Sequence, residues 1–421
     1  MFKEHTPTFV STDTRVPYAS GAVNEFRDLF WKARDEVVRI AIIGDSKVTN
    51  AGNGSFWMPA INAAATDYFG LAPEIGLIPA GESYSTLPPP RFCHSTTFNT
   101  SNGTRVVGAD RLPSAASYLT TTQFGSSTDY IRPRAEGRLD ARNREYFDLG
   151  NGNVTYEAIF ARNSTGPSEA RITQFFLNQP SGSLGTNLIE EWISTGLGLN
   201  SSDEGFVTFQ TGPIQSPPDG QFAAFGNNNF GVHTTGIGSH MVASRLIDQS
   251  KTSGMVFNSF SAGGYTTDLF LENHPDAGPH LNALGPWDAI FVPMGANHVR
   301  QTEQEYNDSF QLFIDTLRGP DWTNNPEQLI VPITSDWRTL LGTGITQDDV
   351  DRLNNEFPGV QRDVALANDH VCSFNMNRFG EESVFNQGRL LSDGVHFAGP
   401  DQGTNAELFM ASWQRVALGL E

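Results

Sequence analysis

The chain has 421 residues, 38% hydrophobic and 11% aromatic, which excludes global disorder and allows about two or three domains. Its 47 acidic and 27 basic residues leave a formal charge of -20, and its lysines are Lys3, Lys32, Lys47 and Lys251 alone. Such a surface repels a phosphate backbone and has no basic stripe to offset this, so no nucleic-acid partner is expected.

Met1 to Tyr18 is polar and of mixed charge, without the apolar centre of a secretion signal. No run approaches the roughly 18 apolar residues of a membrane span, so none is expected, and localisation stays open. Val37 to Ile43 is a short apolar, β-branched run ending at Gly44, the pattern of a parallel strand covered on both faces. Phe56 to Phe69 follows with apolar residues at helical spacing and stops at Gly70.

From about residue 85 to 248 the character changes. The stretch opens with Leu87-Pro88-Pro89-Pro90 and is rich in Gly, Asn, Ser and Thr. Alternating runs recur at Thr155 to Phe160, Arg171 to Leu177 and Gly205 to Gln210, with turn signals at Asn102-Gly103 and Asn151-Gly152. The expectation is a β-rich insertion, with a β-sandwich as the natural form, inside a discontinuous domain of residues 1–84 and 249–421.

Strand and helix patterns then resume. Strands are expected at Met255 to Phe260, Trp287 to Met294, Gln328 to Thr334 and His370 to Phe374. Helices are expected at Glu303 to Leu317, Gln347 to Leu366 and Asn405 to Leu418, the last with Leu408, Phe409, Trp413 and Val416 near one face. Five apolar strands alternating with helices predict an α/β fold with a parallel sheet. Cys93 and Cys372 have neither metal nor redox spacing and read as buried thiols, with a long-range disulfide left open. The acidic cluster Asp348-Asp349-Asp351 reads as a solvated helix start.

Four segments carry chemistry. Gly44-Asp45-Ser46 places a serine at a strand-to-helix turn, on the carboxyl edge where α/β folds bind ligands. Asp393-Gly394-Val395-His396 lets one ring nitrogen face a carboxylate and the other a serine. Asn258 to Asp268, with Gly263 and Gly264, and Gly295-Ala296-Asn297-His298 follow the second and third strands, where oxyanion donors would be needed. Taken singly, each segment reads as an ordinary turn or helix cap.

In this order and at these strand ends, the four segments resemble the consensus blocks of SGNH (GDSL-like) hydrolases. That resemblance implies a flavodoxin-like three-layer α/β/α sandwich and a serine esterase without metal or organic cofactor. It implies Ser46 as nucleophile and backbone oxyanion donor, His396 and Asp393 as its partners, and Asn297 as the oxyanion amide. Gly264 matches the oxyanion glycine, with Gly263 one residue away as the alternative. His298 departs from the pattern, which usually has aspartate after the asparagine. More narrowly, Arg39 to Ser46 followed by Gly76-Leu77-Ile78-Pro79-Ala80 is similar to bacterial polysaccharide and peptidoglycan O-acetylesterases, some with a carbohydrate-binding-like insertion. Those relatives often have histidine where this chain has Lys47. An acetylated carbohydrate is the expected substrate. The alternatives are small acyl esters, or a glycan-binding surface or virion protein on a silent hydrolase scaffold. Oligomeric state stays open.

Overall fold

A computed structural model describes residues 19–45, 57–70, 72–74, 76, 78–79, 93–98, 122–123, 131–136, 153–161, 169–176, 188–195, 197, 206–214, 227–234, 240–260, 265–273, 277–334, 344–375 and 399–420. The chain begins with β1 (Ala19–Gly21), α1 (Val23–Lys32), β2 (Val37–Ile42) and α2 (Trp57–Phe69). A run of strands follows: β3 (Ile78–Pro79), β4 (Cys93–Phe98), β5 (Thr122–Gln123), β6 (Ile131–Glu136) and β7 (Val154–Ala161). It continues with β8 (Glu169–Phe176), β9 (Leu188–Thr195), β10 (Phe206–Pro213), β11 (Asn227–Thr234) and β12 (His240–Asp248). Alternation then resumes with β13 (Gly254–Ser259), α3 (Thr267–Asn273), α4 (Ala277–Leu284), β14 (Ala289–Val292) and α5 (Glu303–Arg318). The last elements are β15 (Ile330–Pro332), α6 (Gln347–Asn355), α7 (Phe357–Ala367), β16 (Cys372–Phe374) and α8 (Gly399–Ala417). They divide into two compact units, Met1–Gly70 with Ser253–Glu421, and Leu71–Thr252.

In the first unit, β13, β2, β14 and β15 form a parallel sheet in that order. Parallel bridges from Ile330 to Val371 and from Ile333 to Phe374 attach β16 beside β15. Numbered by chain position, these parallel strands run 2-1-3-4-5, so the order reverses between β2 and β14. That reversal opens a crevice at the carboxyl ends of the two strands, the place where such sheets take ligands.

The continuous apolar runs are buried on both faces, as parallel strands require. Val38, Ile40 and Ile42 join Met255, Phe257, Phe291 and Phe374 in one core with α1, α2 and α8. Intervening residues Ala41, Val256 and Ile290 are buried as well. Phe26, Leu29 and Phe30 of α1 fall at the three- and four-residue spacing of a single helix face. Trp413 of α8 stacks on Phe26 at 4.6 Å and donates its indole N–H to the Phe26 carbonyl at 2.8 Å.

Helix starts follow local chemistry. Thr302 with Glu305, and Thr346 with Asp349, close capping boxes on α5 and α6. The acidic cluster is therefore a helix start, and the Thr346 backbone N–H holds the Asp349 carboxyl below its ordinary pKa. The single helix expected over Gln347 to Leu366 is instead two, divided at Glu356. Pro358 lies in the first turn of α7, where its missing N–H leaves no bond unmade. The sequence pattern also gave no sign of β1, which pairs antiparallel with β16. Its last residue, Gly21, has φ +88°, and a Cβ there would strike the carbonyl oxygens of Val371 and Ala365.

In the second unit the described strands are antiparallel and form two five-stranded sheets. One runs β10-β7-β12-β3 with β5 also on β12, and the other runs β4-β6-β11-β8-β9. Burial along β10 alternates, with Val207, Phe209 and Thr211 inward and Thr208 and Gln210 outward, so one face is covered. Arg245 of β12 lies opposite Glu157 of β7 and bonds it at 2.7 Å, while its other arm meets Glu74 at 2.7 Å. Both carboxylates are buried, and the shared guanidinium offsets the cost of taking them out of water. This unit begins before the expected residue 85, because Ile78–Pro79 pairs with β12 and Asp248 donates its backbone N–H to Pro73. Among the described residues no helix is long and apolar enough to cross a membrane.

Candidate active site

Backbone bonds continue past the strand ends on both sides of β2. Ile43 donates its N–H to Phe291 at 2.9 Å, and Phe260 to Ile42 at 2.7 Å. Beyond Ile43 comes Asp45, fully buried, and then Ser46. Of the expected catalytic and oxyanion residues, Asn297 is described. Ser46, Gly263, Gly264, Asp393 and His396 lie outside the described residues. Asp393 and His396 come after β16 and before α8 in the sequence.

Asn297 is on a 3-10 turn, Ala296–Arg300, just after β14. Its Nδ2 donates to the Tyr265 carbonyl at 3.1 Å, in the connection that follows β13. A carbonyl can pair only with the NH2 end of the amide, so this bond fixes which way the group faces. An amide nitrogen carries two hydrogens, of which this bond uses one.

The neighbouring His298 is fully buried and makes a second connection between the same two segments. Its Nε2 accepts the Thr267 backbone N–H at 2.9 Å and lies 3.1 Å from the Thr267 hydroxyl. That hydroxyl donates to Ser309 of α5 at 3.2 Å. An acceptor Nε2 requires the proton on Nδ1, so the tautomer is set by the fold. Beneath the ring, Tyr306 stands edge-on at 4.9 Å and stacks on Phe357 at 4.0 Å. Gln361 donates to the Tyr306 hydroxyl at 2.6 Å. Burial pushes that hydroxyl above its ordinary pKa, and the nearby Asp45 charge adds to the effect.

Burial also holds His298 down to about 4, against the opposing pull of the Asp268 carboxylate and the Gly295 carbonyl. The unfolded chain takes up this proton near pH 6.5, whereas the folded one resists it to about 4. The neutral ring's contribution to stability is therefore present above pH 6.5 and lost as pH falls towards 4. At about 1.4 kcal/mol per pH unit, the loss over that window is about 3 kcal/mol. Urea unfolding at pH 7 and pH 4 should show wild type losing about that much more stability than His298→Gln. Equal losses in the two proteins would mean that the ring is not held neutral.

Sequence reading marked His298 only as a departure from a pattern. Thr267, Ser309, Tyr306 and Gln361 carried no signal, apart from the Thr266-Thr267 pair just downstream of the glycines.

No protein-family model matches this sequence, and no curated protein matches it. Solved structures do. A structure described as a peptidoglycan O-acetylesterase in action is 14% identical, with a TM-score of 0.56 over 94% of this chain and 96% of its own. The chain shares the fold of that structure. Two other structures overlap far less well. One is a lipase/acylhydrolase from Enterococcus faecalis, 15% identical, with a TM-score of 0.27 over 40% of this chain and 78% of its own. The other is an active-site mutant of a family two carbohydrate esterase from Clostridium thermocellum, 9% identical, with a TM-score of 0.31 over 78% of this chain and 99% of its own. The shared fold accounts for the parallel sheet, and the chemistry has to come from the residues at its carboxyl edge.

Proposed function

We propose that this protein is a serine esterase that removes acetyl groups from an O-acetylated polysaccharide or sugar through an acyl-enzyme. In this reading the α/β unit is a flavodoxin-like three-layer sandwich that carries the chemistry. The β-rich unit is an inserted sandwich that engages the carbohydrate. The observation that carries the proposal is Asn297. It stands on the turn that follows β14, the strand adjoining the one that leads into Asp45 and Ser46, with its amide orientation fixed by the Tyr265 carbonyl.

The roles follow. His396 removes the Ser46 proton as Oγ attacks the ester carbonyl, and Asp393 orients the ring and stabilises its cationic form. The tetrahedral oxyanion is held by the backbone N–H groups of Ser46 and of Gly264 (or Gly263) and by the Asn297 amide. Collapse breaks the bond to the sugar oxygen, which takes the proton from His396. Water, deprotonated by His396, then attacks the acyl-enzyme, and acetate leaves with Ser46 restored. None of these steps calls for a metal or an organic cofactor.

The test is acetate release from a panel of acetylated glycans, with longer acyl esters alongside. Asn297→Ala should lower kcat by about 10²–10³ while leaving KM within a few-fold, because the amide bonds the oxyanion more strongly than the ground-state carbonyl. Preference for longer acyl chains would reassign the substrate, and an unchanged kcat in the variant would remove Asn297 from the hole.

A further inference from the structure

We propose that His298 is a positioning residue of the oxyanion hole, latching the segment that follows β13 to the turn that follows β14 so that Asn297 is held on target. This rests on the esterase reading above. The geometry is a double grip by consecutive residues. Asn297 holds the Tyr265 carbonyl at 3.1 Å, and His298 holds the Thr267 N–H at 2.9 Å, two residues further on. One grip donates and the other accepts, so the turn is fixed to the opposite segment in both directions.

The glycine pair expected to supply the second oxyanion donor lies immediately upstream of Tyr265. The latch therefore fixes the turn that carries the Asn297 amide against the segment that begins at Tyr265. The His298 ring is itself confined: fully buried, with Tyr306 edge-on at 4.9 Å, and tied through Thr267 to Ser309 at 3.2 Å. Histidine suits the position because a neutral ring nitrogen accepts the amide without burying a charge. An apolar side chain of similar bulk would fill the space but leave the Thr267 N–H unbonded and the turn free to shift. Displacements of about 1 Å at a catalytic group can cost on the order of 10²-fold in rate.

The experiment compares kcat and KM for a short acetyl ester in wild type, His298→Leu, His298→Gln and Thr267→Pro. Glutamine can place an amide oxygen near the position of Nε2, so it keeps the acceptor. Proline removes the Thr267 N–H at the first position of α3, where a helix tolerates it. His298→Leu and Thr267→Pro should each lose about tenfold to a hundredfold in kcat with KM nearly constant, and His298→Gln should recover most of the loss. In an Asn297→Ala background His298→Leu should add little, because it acts through that amide. If His298→Leu does not fold, Thr267→Pro with the His298→Gln rescue decides. Wild-type kcat in both latch-breaking variants, beside an impaired Asn297→Ala, would overturn the latch and leave the esterase standing. An inactive wild type would bring down both.

Discussion

Ser46→Ala should lower ester hydrolysis by at least about 10⁴-fold without unfolding the protein. Without Oγ no acyl-enzyme can form, and the remaining route is direct attack by water on an ester that the oxyanion donors still polarise. Those donors and substrate binding leave a residual rate above the uncatalysed one, so the variant should be very slow but measurable. KM should change little, because the hydroxyl contributes mainly once the new bond is forming. The measurement is release of a chromogenic alcohol from a short acetyl ester, with urea unfolding as the control for folding. Substantial activity in a folded Ser46→Ala would show that the nucleophile has been misassigned. No activity in the wild type on acetyl esters or acetylated glycans would favour a binding protein on a silent scaffold.

The second large effect concerns stability. Trp413→Ala should destabilise the α/β unit by about 3–5 kcal/mol from lost burial and the cavity left behind. Trp413 is fully buried, stacked on Phe26 with an interplanar angle of 4°, and edge-on to Phe30, Phe291 and Phe409. It also donates to the Phe26 carbonyl, a bond that the variant loses within the same range. Because α8 packs on both α1 and α2, the loss is shared by the whole apolar side of the sheet. Urea unfolding followed by far-UV circular dichroism reads it directly. A loss under about 1 kcal/mol would mean that the terminal helix is only loosely attached.

Some of this was legible in the chain alone. Val37 to Ile42 reads as a parallel strand because its residues are apolar apart from Arg39, and that run is local. The helix at Glu303 is equally local, with Thr302 and Glu305 forming a box within four residues. The order of Gly44-Asp45-Ser46, the glycine pair, Asn297 and Asp393 to His396 along those strands was enough to point to the fold. What failed were features whose cause is remote or short. β1 spans three residues and exists because β16 offers it an edge. The division between α6 and α7 interrupts an apolar spacing that runs on regardless, and Pro358 alone hinted at it. Glu74 and Arg245 are 171 residues apart, so nothing in the sequence around residue 74 announces that it belongs with β12. By itself the sequence determined the alternation of strands and helices and which residues could do chemistry. The strand order that opens a crevice between β2 and β14, and the role of His298, were decided only in three dimensions. Thr267 and His298 are 31 residues apart, and a buried ring becomes a latch only when folding carries a backbone N–H to it.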